Sequence, residues 1–107
     1  MFHPAASATA TATAATATAT LAALPAQRYE GLQVFWSFGA ITTAASSVKV
    51  YDDATLLAEW KIPTGTYGPQ SLCINGLVSR ANKDLSVQLA SGGAAVVGVV
   101  GITARII

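Results

Sequence analysis

The sequence predicts an all-β protein: an antiparallel β-sandwich, jelly-roll-like, with an extended N-terminal arm. Apolar and polar residues alternate with a period of two in several short segments, as in half-buried strands. Turn-forming residues separate these segments at short intervals, and no segment has a clear helical period. About six strands with short connections favour a sandwich, which becomes jelly-roll-like if the arm supplies further strands.

The chain divides near Pro25 into two segments. We predict an Ala/Thr-rich arm at residues 1–27 and a β-sandwich domain at residues 28–107. Residues 1–27 contain no Asp, Glu, Lys or Arg, and Ala8–Thr20 is an almost pure alternation of Ala and Thr. From Arg28 onward the composition is that of an ordinary folded domain. The two segments are therefore treated as an arm and a body.

The arm is predicted to be extended, because β-branched Thr at every second position disfavours helix and a period of two matches the pleat of a strand. The pair Ala14-Ala15 shifts the phase, which predicts a bend near Ala15. Small side chains leave the backbone free to join the edge of another sheet. The residues of the arm predicted to contact a partner are Thr9, Thr11, Thr13, Thr16, Thr18 and Thr20. A signal peptide, for which a basic n-region is missing, and an unstructured tail are alternatives.

The body begins with a strand from Tyr29 that is apolar at every second position, at Leu32, Val34, Trp36 and Phe38, with Phe35 as the exception. Residues 48–62 predict a hairpin that turns at Asp52–Thr55. Asn75-Gly76 predicts a second tight hairpin, because a type I′ turn requires positive φ at both central positions. Leu85–Leu89 predicts a further strand.

The last strand, within Val96–Ile107, is apolar on both faces, and Arg105 is its only charge. Because a sandwich buries one face of each sheet against the other sheet, the opposite face of this strand needs a second cover. A neighbouring chain is one candidate, and the protein's own loops or arm are the other. The body residues predicted to contact a partner are Val97, Val99, Ile102 and Ile106.

Composition restricts the partners. Charged residues make up 10% of the chain, against about a quarter in ordinary soluble domains, so shielding by partners, including other copies of the chain, is expected. The net charge is +1 with no basic stripe, which argues against nucleic-acid binding. Mean hydropathy is +0.50, yet Gly and Thr break the apolar runs well before the roughly 20 residues of a membrane-spanning helix. We therefore expect no membrane partner.

No catalytic, cofactor or metal site is predicted, and the protein is not expected to be an enzyme. His3 is the only imidazole and lies at the start of the arm, which is a poor place to hold a general base. Cys73 is the only cysteine, so an internal disulfide and a Cys/His zinc site are excluded; its apolar surroundings predict a core position. Asp52-Asp53 is interpreted as turn chemistry.

Aromatic residues suggest a second function class. Trp36, Trp60, Tyr51 and Tyr67 could form a platform for sugar rings. Trp36 and Trp60 fall on the apolar phase of their strands, which favours burial in the core for both. The two tyrosines then remain as the candidate surface contacts.

The body resembles the small β-sandwich virion proteins of tailed bacteriophages. The resemblance covers residues 28–107 and rests on the succession of Tyr29–Val34, Val48–Asp53, Gly68-Pro69 before Leu72–Ile74, and Leu85–Gly93 before a Gly-rich strand. It implies a capsid decoration or cement protein on the outer surface of the virion, bound to the major capsid protein and assembled with itself, most often as a trimer. The arm lies outside the resemblance.

Three hypotheses follow from the sequence. The first is a capsid cement protein whose arm extends along the shell or a sister subunit, with a body that stays folded when the arm is deleted. The second is a carbohydrate-binding or adhesive module. The third is a tail or connector subunit, which would differ from the first in symmetry.

Overall fold

The computed structural model describes residues 5–107, which form eight β-strands and contain no helix. Within these residues there is accordingly no helix able to cross a bilayer. The strands are β1 (Ala5–Thr13), β2 (Ala17–Leu21), β3 (Tyr29–Phe38), β4 (Ser46–Asp52), β5 (Thr55–Ile62), β6 (Gly68–Cys73), β7 (Leu85–Leu89) and β8 (Val97–Ile106).

Two four-stranded antiparallel sheets form the sandwich. The first sheet has the order β1-β8-β3-β6 and the second has the order β2-β7-β4-β5. Strands pair in a nested way, β4 with β5, β3 with β6, β2 with β7 and β1 with β8. The chain is thus one long antiparallel ribbon rolled into two layers, which is the jelly-roll arrangement. The predicted all-β sandwich is confirmed.

The described part of the arm belongs to this roll. Its alternation forms strands, as predicted, and the bend near Ala15 is confirmed, because β1 ends at Thr13, Ala14 adopts a φ of 56°, and β2 starts at Ala17. The bend carries the chain from the first sheet to the second. Each half of the arm therefore becomes an edge strand of a different sheet, and residues 5–27 lie against the protein's own body.

The arm turns its alanines inward. Ala17 and Ala19 are buried in the core with Leu21, and the alanines of β1 pack against the same core. Because these side chains are small, β1 and β2 pack closely and close one side of the sandwich. On the other side no Cα of β5 lies within 8 Å of a Cα of β6. The sandwich is therefore narrow at the arm and splayed at β5 and β6.

Hydrogen bonds attach the segment between β2 and β3 to the loop before β7. The Asp84 Oδ1 accepts the N–H of Ala23 at 2.6 Å, and the Asn82 Oδ1 accepts the N–H of Ala26 at 2.7 Å. The Tyr29 hydroxyl donates to the Ala22 carbonyl at 2.6 Å. Burial, and secondarily the charge of Asp84, raises the pKa of Tyr29, so the phenol remains a donor. The junction between arm and body is thus held by the body itself.

The β4–β5 hairpin is confirmed, and its turn has a second role. Asp53 occupies the turn with a φ of 54°, whereas Asp52 is buried and accepts the backbone N–H of Arg80 at 2.9 Å and its Nε at 3.0 Å. Burial alone would raise the pKa of Asp52, but the bonds from Arg80 and the charges of Arg80 and Lys83 hold it below its usual value. Asp52 therefore joins the hairpin to the loop before β7.

The hairpin predicted at Asn75-Gly76 is wrong, although the turn itself is present. The N–H of Leu77 donates to the Ile74 carbonyl at 3.1 Å, and only Gly76 of the two central residues has positive φ, as in a type II turn. The strand before the turn, β6, pairs with β3, whereas the strand that follows, β7, lies in the other sheet. The turn therefore begins a crossover between sheets.

Candidate functional site

The outer face of the first sheet is the candidate functional site. Val34, Trp36, Val100 and Ile102 point inward, so the alternate residues of the same strands point away from the core. Register brings Thr9 beside Gly101, Thr11 beside Val99 and Thr13 beside Val97 on this outer face. Towards the opposite edge, the outer face continues through Gln33, Phe35, Ser37, Pro69, Ser71 and Cys73.

Phe35 lies at the middle of this face. Its ring occupies the space above Gly101, because a Cβ added to Gly101 would clash with the Cε1 of Phe35. Phe35 is half-buried by this contact. The sequence analysis did not predict Phe35 as a site residue, although its place outside the apolar phase of β3 is the signal by which an outward aromatic residue can be found. The absence of a side chain at Gly101 thus allows the ring to lie against the backbone of β8.

The two outer faces of the sandwich differ in the charged residues that they carry. On the first sheet the charged residues are Glu30 and Arg105, which pair with each other at one end, with Arg105 Nε 2.9 Å from Glu30 Oε1. The second sheet places Lys49, Glu59 and Lys61 on its outer face. The hydrogen bond from Lys61, at 2.9 Å, is the main reason that the pKa of Glu59 lies below its usual value. In the described molecule, the outer face of the first sheet therefore has charges only at the Glu30–Arg105 end, whereas Lys49, Glu59 and Lys61 lie on the outer face of the second sheet.

The structure brings together half of the arm residues predicted to contact a partner. Thr9, Thr11 and Thr13 share the outer face of the first sheet with Val97 and Val99. All three threonines are exposed. The remaining arm threonines are exposed elsewhere, at the bend (Thr16) and on the outer face of the second sheet (Thr18 and Thr20).

Two of the four body residues predicted to contact a partner, Ile102 and Ile106, lie on the inward phase of β8. The prediction for Ile102 is wrong, because its side chain is fully buried between the sheets, at 0% exposure. Ile106 lies on the same inward phase and packs, half-buried, against the core. Both faces of β8 are apolar, as predicted, but one of them is the protein's own core. Val97 and Val99 are therefore the two that face outward.

The described residues that were considered for catalysis or metal binding form no metal site. Among residues 5–107, no three His, Cys, Asp or Glu side chains lie close enough to hold a metal ion. His3 lies outside the described residues. The core position predicted for Cys73 is wrong, because β6 is an edge strand and Cys73 ends it on the exposed outer face.

The four aromatic residues form no common platform. Trp36 is buried, Trp60 packs against the core, and Tyr51 points outward from the second sheet. Tyr67 is exposed in the loop between β5 and β6. The burial predicted for Trp36 is confirmed. The tyrosines are on separate surfaces, so a shared sugar platform of these four side chains does not exist.

A pocket of about 240 Å³ opens instead where β5 and β6 diverge. Its lining residues are Trp36, Lys61, Ile62, Pro63, Thr66 and Gln70. The indole N–H of Trp36 is buried and has no hydrogen-bond partner within the described chain. This pocket was not predicted from the sequence. β5 and β6 are consecutive in the chain, but they enter different sheets, and the space that opens beside Trp36 depends on how far the two sheets separate there.

The fold is shared with solved structures of several kinds. PirA matches with a TM-score of 0.54 and 9% identity, over 91% of this chain and 92% of that protein. A chain in the acid-stable capsid of the Helicobacter pylori bacteriophage KHP30 matches with a TM-score of 0.51 and 15% identity, over 99% and 94%. A fucose-binding module of Streptococcus pneumoniae, SpX-3, matches with a TM-score of 0.52 and 11% identity, over 91% and 70%.

Identities this low show the fold alone. A part of the catalytic domain of a GH87 α-1,3-glucanase also matches, and the chain spans 21% of the length of that domain. No protein-family model matches the sequence, and no curated protein is similar to it. The chain is thus a β-sandwich of a kind found in virion proteins and in carbohydrate-binding modules.

Proposed function

We propose that the protein is a structural virion protein that decorates a capsid shell, with the outer face of the first sheet as its contact surface. The observation that carries the proposal is the lack of charge on this face away from the Glu30–Arg105 pair. Away from that pair, a surface of Thr, Ser and Val with one central Phe loses little solvation free energy on contact, because this part of the face holds no charge that must be buried.

The likeness to a chain of the KHP30 capsid supports this role, because it extends over nearly the full length of both chains. In this proposal the protein acts as a cement protein on the outside of the virion and contacts the major capsid protein. The charged face of the second sheet would then point to solvent. Many weak contacts across four strands would add up, since the copies on one shell act together.

A charge placed on the outer face of the first sheet tests the proposal. We expect Val99→Glu to weaken binding to undecorated capsids of the same phage by about 10-fold or more, because an unpaired carboxylate would be buried at the contact. The measurement is co-sedimentation of the purified protein with the shells over a concentration series. Circular dichroism would verify that the variant is folded.

Gln88→Glu is the matched control. Gln88 occupies β7, the second strand of the second sheet, as Val99 occupies the second strand of the first, and it lies opposite Lys49. This variant should bind shells like the wild type. Equal binding by the two variants would exclude the outer face of the first sheet as the contact, and a wild-type protein that fails to bind shells would refute the decoration role.

The pocket between β5 and β6 favours a second candidate, carbohydrate binding. Trp36 offers an aromatic wall, and Gln70, Thr66 and Lys61 offer polar groups around it. An acceptor supplied by a ligand would be favoured near the unpartnered indole N–H, since an unsatisfied buried donor costs about 1–3 kcal/mol. The fold likeness to a fucose-binding module is compatible with this candidate.

Removal of one polar side chain from the pocket tests the carbohydrate-binding candidate. If sugars bind here, fucose and other glycans should change the tryptophan fluorescence, and Gln70→Ala should weaken that binding by about 5-fold, the equivalent of one hydrogen bond of ~1 kcal/mol. Gln33→Ala, on the outer face of the first sheet, should leave it unchanged. No response to any glycan of an array would remove this candidate while leaving shell binding untouched.

A further inference from the structure

The outer edge of β1 carries unpaired backbone groups. Among residues 5–107, β1 lies at the end of the first sheet and pairs only with β8. Just beyond the strand, the N–H of Ala14 donates to the Val96 carbonyl at 3.2 Å. Because backbone groups alternate in direction along a strand, the even-numbered residues of β1 face β8. Ser7, Thr9, Thr11 and Thr13 therefore direct their N–H and C=O groups away from the sheet.

This edge lacks the features by which proteins prevent strand addition. β1 is nine residues long, contains no charged residue and no proline, and pairs with β8 without a register shift. The other edges are protected: β6 contains Pro69, β5 carries Glu59 and Lys61, and β2 has only five residues. The partner that such an edge fits is another β-strand, since a strand supplies the missing hydrogen-bonding groups.

The sequence of β1 is complementary to itself. We propose that two copies of the chain join through their β1 edges, antiparallel about a two-fold axis at Thr9, into one continuous eight-stranded sheet. In this register Thr9 faces Thr9 of the second copy, Ser7 faces Thr11, and Ala5 faces Thr13. All these residues direct their backbone groups outward, so about ten hydrogen bonds form across the interface.

Side chains fit the same arrangement. Thr and Ser meet Thr on the outer face, where such cross-strand pairs are favourable, and Ala meets Ala on the inner face without a clash. No charge in β1 opposes the approach of a second copy. Pairing of this kind closes at two chains, because each copy uses its one β1 edge. It therefore yields a dimer, in contrast to the trimer implied by the resemblance to virion proteins.

Substitutions of opposite charge at Thr9 test the proposed dimer. The experiment uses the full-length chain in the absence of shells, so its result does not depend on the decoration role. Analytical ultracentrifugation should show a dimer for the wild type and a monomer for Thr9→Lys and for Thr9→Glu, since like charges would face each other across the two-fold axis. Mixing the two variants should restore a dimer. Both substitutions fall at an exposed position, so the fold is expected to persist.

A backbone variant gives a second measurement. Thr9→Pro removes an N–H that points to the free edge and leaves the ladder to β8 intact, so it should raise the dissociation constant of the dimer by about 30-fold or more. Thr9→Val keeps the N–H and should keep the dimer. The proposal is overturned by a wild type that stays monomeric at millimolar concentration, by a trimer, or by a dimer that persists in the Lys and Pro variants.

Discussion

Deletion of residues 1–27 is expected to unfold the protein. The truncated chain loses Ala17, Ala19 and Leu21 from the core and the edge strand of each sheet. The backbone of β8 that paired with β1 would be left open beside the fully buried Val100 and Ile102. Since a domain of this size is stable by only about 5–15 kcal/mol, the loss of two of eight strands exceeds what the body can tolerate.

The measurement is circular dichroism and thermal unfolding of the chain 28–107. We expect no cooperative transition, together with aggregation through the opened edge of β8. Deletion of residues 1–4 alone, which lie outside the described strands, is the control and should retain a cooperative transition. A synthetic peptide of residues 1–27, added in trans, should restore the fold by occupying the two vacated edges.

Cooperative unfolding of the truncated chain would contradict this prediction. If the chain 28–107 melts cooperatively within a few degrees of the full-length protein, the division into an arm and an independent body, as predicted from the sequence, is correct. The strands β1 and β2 would then contribute little to stability. In that case the binding of the truncated protein to shells would be the measurement that matters.

Phe38→Ala is expected to have the second large effect. Phe38 is 1% exposed and fits against two glycines, since a Cβ on Gly92 would lie 2.9 Å from its Cε1 and one on Gly98 would lie 3.6 Å from it. Removal of a buried Phe side chain costs about 3–5 kcal/mol, which includes the cavity that remains. The melting temperature should fall by about 15 °C, or the protein should fail to fold.

Phe35→Ala, three residues earlier on the same strand, is the matched comparison. Phe35 lies on the outer face, so its truncation should cost about 1 kcal/mol or less, in proportion to the smaller area that it buries. Its effect should appear instead in shell binding, because it occupies the centre of the proposed contact. A stability loss at Phe35 equal to that at Phe38 would contradict the assignment of the two faces.

The sequence predicted the strands themselves better than it predicted which strands pair with each other. The alternation of β3 and the hairpin of β4 and β5 were confirmed, because a period of two and a short turn are local properties. The hairpin predicted at Asn75-Gly76 was wrong because strand pairing is not a local property. The turn is local, but whether the strands on either side pair depends on which sheet each one joins, and here the chain crosses between sheets.

The candidate site was partly predictable. An apolar strand with no clear polar phase predicted that β8 needs cover on both faces, but the pattern alone does not say which face is the core. Pairing with β3 and β1 buried Ile102 and left Val99 outside. The exposure of Cys73 and the pocket at Trp36 follow from the splayed edge of the sandwich, which no local pattern records.

The sequence by itself determined that the chain is all-β and that the Ala/Thr segment is extended with a bend at its centre. Both follow from side-chain type and spacing along the backbone. Only the tertiary structure decided where the segment goes. Its small alanines fit the narrow side of the sandwich, so the described part of the arm became the first two strands of the roll. The threonines of β1 joined Val97 and Val99 on the outer face of the first sheet. Long-range pairing fixed that arrangement, because the residues involved are some ninety positions apart in the chain.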